Sequence, residues 1–125
     1  MTEILIKRFS KDINLPKYET EGSSGMDLAA HIENSVQIEP GNTIMVPTGI
    51  AVSIPKNFEI QIRPRSGLAA RNKISILNTP GTIDSDYRGE IKVLIKNLGK
   101  TDFYVTPGMI IAQMIFAPVS KANIR

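Results

Sequence analysis

Proline and glycine punctuate this chain so regularly that no stretch is left for a long helix. Breaks fall at Pro40-Gly41, Pro47, Pro55, Pro64, Pro80-Gly81 and Pro107-Gly108. Proline lacks the amide proton that a helix interior needs, and glycine loses more backbone entropy there than any other residue. Between the breaks lie short apolar or alternating runs, and none of helical length keeps a 3.6-residue period. Phe58–Arg63 shows the other period: Phe58, Ile60 and Ile62 alternate with Glu59, Gln61 and Arg63, which predicts a strand with one wet face. Further strands are expected over Ile4–Phe9, Met26–His31, Ser35–Ile38, Ile74–Leu77, Ile91–Ile95, Phe103–Val105 and Met109–Ala117. Two more, Thr43–Val46 and Gly49–Ile54, are expected to meet at Pro47. Residues 10–23 read as a loop, Glu39-Pro40-Gly41-Asn42 as a turn, and Ser66 as the cap of one helical turn over Gly67–Asn72. Many short strands with frequent turns predict an all-β barrel or jelly-roll-like sandwich. At 125 residues the chain is expected to form one domain.

Charge and composition narrow the partners. The net charge of +3 is modest, and the only local concentration of cations is Arg63, Arg65, Arg71 and Lys73. A general nucleic-acid binder carries a larger, continuous basic stripe, whereas a few phosphates on a small ligand suit this number. With no cysteine there is neither a disulfide nor a thiolate metal site. The opening Met-Thr-Glu-Ile-Leu-Ile-Lys lacks a signal-peptide core and no apolar run reaches membrane-spanning length, so the expectation is a cytoplasmic protein with no nucleic-acid or membrane partner. The single histidine, His31, rules out Ser-His-Asp and Cys-His catalysis built from one chain on any residue but itself, and it has no partner in sequence; it reads as a surface residue. Gly99-Lys100-Thr101 resembles the end of a phosphate-binding P-loop, but Leu94 stands where that motif needs glycine and Asp102–Val105 is strand-like; it reads as a turn.

The most informative stretch is Asn78-Thr79-Pro80-Gly81-Thr82-Ile83-Asp84-Ser85-Asp86-Tyr87-Arg88-Gly89. Two carboxylates and an aromatic stand between turn formers, with β-type runs on either side. This is the pattern of a β-hairpin whose tip carries chemistry. Two further segments share its look. Ser24-Gly25-Met26-Asp27-Leu28-Ala29-Ala30 presents an acid after a glycine, and Pro64-Arg65-Ser66-Gly67-Leu68-Ala69 places a guanidinium and a hydroxyl where a strand stops. A fourth, Pro107–Phe116, carries a lone polar residue, Gln113, in the longest apolar run.

Together, in this order and at these spacings, the four segments resemble the trimeric deoxyuridine triphosphate nucleotidohydrolases (dUTPases), over nearly the whole chain. The resemblance implies an all-β, jelly-roll-like (β-clip) barrel with one short helical turn. It also implies a homotrimer with three active sites at the subunit boundaries, Mg²⁺, and conversion of dUTP and water to dUMP and pyrophosphate. Asp84 matches the family's water-activating acid; attack on the α-phosphorus needs a water held in line and a base for its proton. Substrate binding is expected from Arg65, Ser66, Gly67, Asn78, Tyr87, Lys92 and Gln113. Arg65, Ser66 and the amides after it would stabilise the departing pyrophosphate, Gln113 would contact phosphate, and Tyr87 would pack on the deoxyribose and leave no room for a 2′-hydroxyl. Asp27 matches an acid that meets the magnesium through water, in keeping with that ion's preference for phosphate oxygens and water.

Two alternatives share the fold. A dCTP deaminase would place its catalytic glutamate near Leu94, where this chain has leucine. A non-catalytic trimeric regulator is expected to have lost the acid that Asp84 supplies. The family also ends in a glycine-rich arm with an arginine and a phenylalanine that closes over the nucleotide; this sequence stops at Ala122-Asn123-Ile124-Arg125 without it.

Overall fold

The computed structural model describes residues 2–125, and its regular structure is strand apart from one short helix. In order the elements are β1 (Leu5–Arg8), β2 (Met26–Ala29), β3 (Val36–Ile38), β4 (Thr43–Ser53), β5 (Phe58–Arg63), α1 (Ser66–Asn72), β6 (Ile74–Ile76), β7 (Gly81–Ile83), β8 (Glu90–Asn97), β9 (Phe103–Val105) and β10 (Ile110–Pro118). The strands form two four-stranded sheets, ordered β1-β4-β8-β6 and β2-β10-β5-β7, and a small β3-β9 pair. Every pairing is antiparallel. The jelly-roll-like expectation holds in its layering. The ladders do not close into a barrel, because β1 and β6 remain outer strands of one sheet and β2 and β7 of the other.

The core lies between the sheets and follows the period-2 pattern of the strands. On β8, Ile91, Val93 and Ile95 are buried while Lys92 is exposed between them; on β5, Ile60 and Ile62 are buried and Arg63 is not. Each fully buried isoleucine contributes about 1.5–3 kcal/mol relative to exposure. Asn97, fully buried at the end of β8, is polar. Its amide donates to the Ile38 and Thr101 carbonyls at 2.9 Å each, and its oxygen accepts from the Gly99 amide at 2.9 Å. One side chain thereby ties β8, β3 and the turn before β9.

Two local expectations are corrected. Pro47 does not separate two strands; β4 runs through it and bulges. Pro47 pairs with Lys92 and Ala51 with Glu90, so four steps on β4 oppose two on β8. Gly49 takes a left-handed φ of 71° there, its amide donates to Glu90 Oε2 at 2.9 Å, and buried Thr48 donates to the Ile91 carbonyl at 2.5 Å. The bulge satisfies the polar groups that a proline-broken ladder leaves over. Ser66 is not the cap of α1. Arg65 holds that position with extended backbone and no capping side chain, and Ser66 is the first helical residue. Lys73 ends the helix in the left-handed conformation. Among the described residues no helix is long and apolar enough to cross a membrane.

Candidate active site

The acidic segment is built differently from a plain hairpin. The flanking strands β6 and β8 do pair, Ile76 opposite Ile95, and the ladder extends to Leu77. Their connection, however, carries a strand of its own. Residues Gly81–Ile83 cross to the other sheet as β7 and pair with β5, Gly81 opposite Ile62 and Ile83 opposite Ile60. Pro80 and Gly81 were expected only as turn formers, and so short a strand has no alternation to announce it. β7 is the outer strand of its sheet, so the backbone groups on its far edge face away from β5.

That crossing makes a small hollow of about 50 Å³ lined by Asn78, Gly81, Ile83 and Lys92 among others. Asn78 and Lys92, separated by fourteen positions in sequence, thus come together. Beyond β7, the chain turns back through a Tyr87 amide to Asp84 carbonyl bond of 3.1 Å. The Tyr87 hydroxyl donates to the Glu90 carbonyl at 2.8 Å, which pins the ring over the turn although 42% of the residue remains exposed. Asp84 is exposed. Arg88, which was not singled out from sequence, braces the same turn by donating to the Ser85 carbonyl at 2.7 Å.

A second group forms on the outer face of the β2-β10-β5 sheet. Gln113 of β10 stands opposite Asp27 of β2 on one side and Arg63 of β5 on the other. Its Nε2 donates to the Pro64 carbonyl at 3.0 Å. Arg65 Nε lies 3.6 Å from Asp27 Oδ1, with the two side chains 41% and 26% exposed. Such a half-exposed pair stabilises weakly; its consequence is to hold a guanidinium beside Ser66 and Gly67. Arg63 is anchored further down β5, donating to Gln61 Oε1 at 2.6 Å, and Gln61 donates on to Glu59. Four residues drawn from three separate segments therefore sit side by side because β10 is the central neighbour of both β2 and β5.

Asp84 and the Arg65-Ser66 segment part within the chain, while Asn78 lies beside Gly81 toward the Ile62 end of β5. β7 runs antiparallel to β5, so Asp84 leaves it beside the start of β5, whereas Arg65 and Ser66 follow the end of β5. The stretch of β5 from Ile60 to Arg63 alone spans about 10 Å. A larger hollow, about 800 Å³, lies elsewhere, between loop 10–19 and β2; of the candidate residues it includes only Asp27. Volume is a poor guide to a site whose two halves face different directions. Among the described residues no three acidic, histidine or cysteine side chains are grouped to hold a metal. His31 lines the larger hollow, near Gly49.

The chain as a whole is similar to known proteins. The dUTPase family model matches residues 11–125. The deoxyuridine 5′-triphosphate nucleotidohydrolase of Brucella melitensis biotype 2 is 57% identical over 117 residues, covering 92% of this chain and 74% of that protein. The enzyme of the same name from Rickettsia prowazekii is 56% identical over 120 residues, covering 95% and 81%. Among solved structures, a mutant Staphylococcus bacteriophage 80alpha dUTPase with dUpNHpp superposes with a TM-score of 0.89 at 20% identity, covering 100% of this chain and 96% of that one. A mutant dUTPase from phage phi11 of S. aureus, described with a structural Mg(II) ion, gives 0.87 at 20% identity, covering 98% and 95%. At that identity the two phage proteins bear on the fold alone.

Proposed function

This chain belongs to the dUTPase family, and we propose that it hydrolyses dUTP to dUMP and pyrophosphate at sites shared between copies of itself. The observation that carries this reading is the division of the candidate residues into two groups of complementary chemistry, with Asp84 and the Arg65-Ser66 segment at opposite ends of β5. One suits a nucleoside and the other a polyphosphate.

The nucleoside half is the β6–β8 connection. The outward edge of β7 offers backbone donors and acceptors to the edge of a uracil ring, and Asn78 and Lys92 add side-chain groups in the adjoining hollow. Cytosine, with an amino group in place of a carbonyl, would leave a group mispaired, and a narrow hollow refuses the thymine methyl. Tyr87, held by the Glu90 carbonyl, presents a ring to the sugar and disfavours a 2′-hydroxyl. Asp84 supplies the base that takes a proton from the attacking water. The water's oxygen bonds to the α-phosphorus, the bond from that phosphorus to the bridging oxygen breaks, and pyrophosphate leaves.

The polyphosphate half is Arg65, Ser66, Gly67 and Gln113, with Asp27 beside them. Arg65 and Ser66 neutralise charge as it accumulates on the leaving pyrophosphate. The donor set fits Mg²⁺ only when the triphosphate itself provides most ligands: Asp27 is the sole carboxylate in the group and faces Arg65, and Mg²⁺ is commonly held by one or two carboxylates plus phosphates and water. Bound there, with Asp27 meeting it through water, the ion would neutralise triphosphate charge.

Because Asp84 and Ser66 diverge within one chain, a complete site needs the nucleoside half of one copy against the polyphosphate half of another. A homotrimer satisfies this with three equivalent sites. A suitable contact surface lies on the outer face of the β1-β4-β8-β6 sheet, where Met45 and Leu77, each 57% exposed, flank Leu94 in one apolar row.

The test is pyrophosphate release from dUTP, dCTP, dTTP and UTP with and without Mg²⁺. The expected result is Mg²⁺-dependent release from dUTP and little from the others. Equal turnover of UTP would defeat the role given to Tyr87, and ammonia release from dCTP would favour a deaminase.

A further inference from the structure

Gly25 immediately precedes β2, and its position across from β10 leaves no space for a side chain. A Cβ built on it would stand 2.6 Å from Gln113 Oε1 and 2.7 Å from Ile115 Cδ1, with the Met114 carbonyl at 3.3 Å. Its backbone is not in the left-handed region, and the two closest atoms end flexible side chains, so a Cβ there would displace Gln113 and Ile115. The Gln113 side chain fills that space. It bridges from Gly25 on one side to the Pro64 carbonyl on the other, 3.0 Å from its Nε2. Pro64 is the residue between the end of β5 and Arg65, whose guanidinium is held by Asp27 at 3.6 Å. The segment leading to Ser66 is thus gripped at two points, through Pro64 by β10 and through Arg65 by β2.

We propose that Gly25 is a positioning residue for the polyphosphate half of the site: it provides the notch in which Gln113 is seated, and Gln113 in turn sets the Pro64-Arg65-Ser66 segment. This rests on the function proposed above and adds to it a residue that touches no substrate. Gln113 Nε2 carries two protons; one goes to Pro64 and the other remains for a phosphate oxygen. A methyl at position 25 pushes the amide off Pro64 and out of register with both. Side-chain carbon at that position also presses on Ile115, and the two consequences are separable.

The experiment measures binding of the non-hydrolysable imido analogue of dUTP and of deoxyuridine, together with kcat/KM for dUTP, in the full chain. Gly25→Ala is expected to weaken the analogue and lower kcat/KM by about 10- to 100-fold, the scale on which misplacement by an ångström acts. Deoxyuridine, which has no phosphate, should bind as in the parent. In a Gln113→Ala background the same change should add less than about threefold, since residues acting as one unit are not additive. Gly25→Ala/Ile115→Val removes the Ile115 Cδ1 clash, keeps the test available should the single variant fold poorly, and should retain the phosphate-dependent loss. Equal losses for deoxyuridine and the analogue, equal losses in both Gln113 backgrounds, or recovery of analogue affinity in the Ile115→Val variant would each overturn the proposal. A parent protein that releases no pyrophosphate and binds no analogue would instead overturn the underlying function.

Discussion

At the scale of single residues, the site depends on side chains whose burial is modest and whose geometry is set by backbone neighbours. Asp84 is exposed on a turn; its chemistry comes from where the turn presents it. Asp84→Asn keeps the shape and hydrogen-bonding reach but removes the basic oxygen. Nucleotide affinity should stay within a few-fold, while turnover falls by about 10²–10⁴, the usual range of general-base catalysis. Steady-state kinetics beside a titration with the imido analogue checks both numbers, and a variant that keeps its turnover would reduce Asp84 to a turn acid. Asn97 is the structural counterpart. Its three hydrogen bonds lie at a fully buried position, so Asn97→Ala leaves the Ile38 and Thr101 carbonyls and the Gly99 amide without that partner. The expected loss is about 2–4 kcal/mol in urea unfolding, with the nucleotide preference of any folded fraction unchanged.

At the scale of elements, the β4 bulge and the β7 crossing both depart from regular pairing, and Glu90 links them. Its side chain accepts from the Gly49 amide in the bulge while its carbonyl accepts from Tyr87. Gly49→Ala would force a left-handed φ on a residue with a Cβ and drive that carbon into Ile13 and His31. A destabilisation of about 1–3 kcal/mol is expected. Because the bulge sets the register of Glu90, UTP discrimination should also relax, which separates this variant from one that merely unfolds. Tyr87→Ala should relax the same discrimination by about 10-fold or more while sparing stability; the ratio of kcat/KM for dUTP to that for UTP reads both.

At the scale of the whole molecule, the division of the site predicts complementation. Ser66→Ala impairs the polyphosphate half and Asp84→Asn the nucleoside half. Mixing the two inactive variants under conditions that exchange subunits should restore part of the activity, because some boundaries then pair an intact half with an intact half. A chain that is monomeric by light scattering and still hydrolyses dUTP would defeat the shared site. Leu94→Asp, which places a charge in the Met45–Leu94–Leu77 row, should shift the protein toward monomer and take activity with it.

Punctuation by proline and glycine and the alternation on β5 and β8 were enough to establish a fold of many short strands, because period-2 burial and the cost of interrupted helices are local properties of the chain. The same locality made the acidic segment and the Arg65-Ser66 segment legible as carriers of chemistry. Three features were not local. β4 continues through Pro47 because Thr48 and Gly49 find partners on β8, forty or more positions away. β7 exists because Ile60 and Ile62 offer it an edge to pair with, and three residues contain too little pattern to reveal that. Gly25 reads in the sequence only as the glycine before an acid, and the approach of Gln113 across the β2-β10 ladder shows what it excludes. The sequence by itself determined the fold class and which residues are candidates for chemistry. The tertiary structure alone decided which of them stand together, because strand order in the sheets, with β10 between β2 and β5 and β7 beyond β5, is set by pairing between segments far apart in the chain.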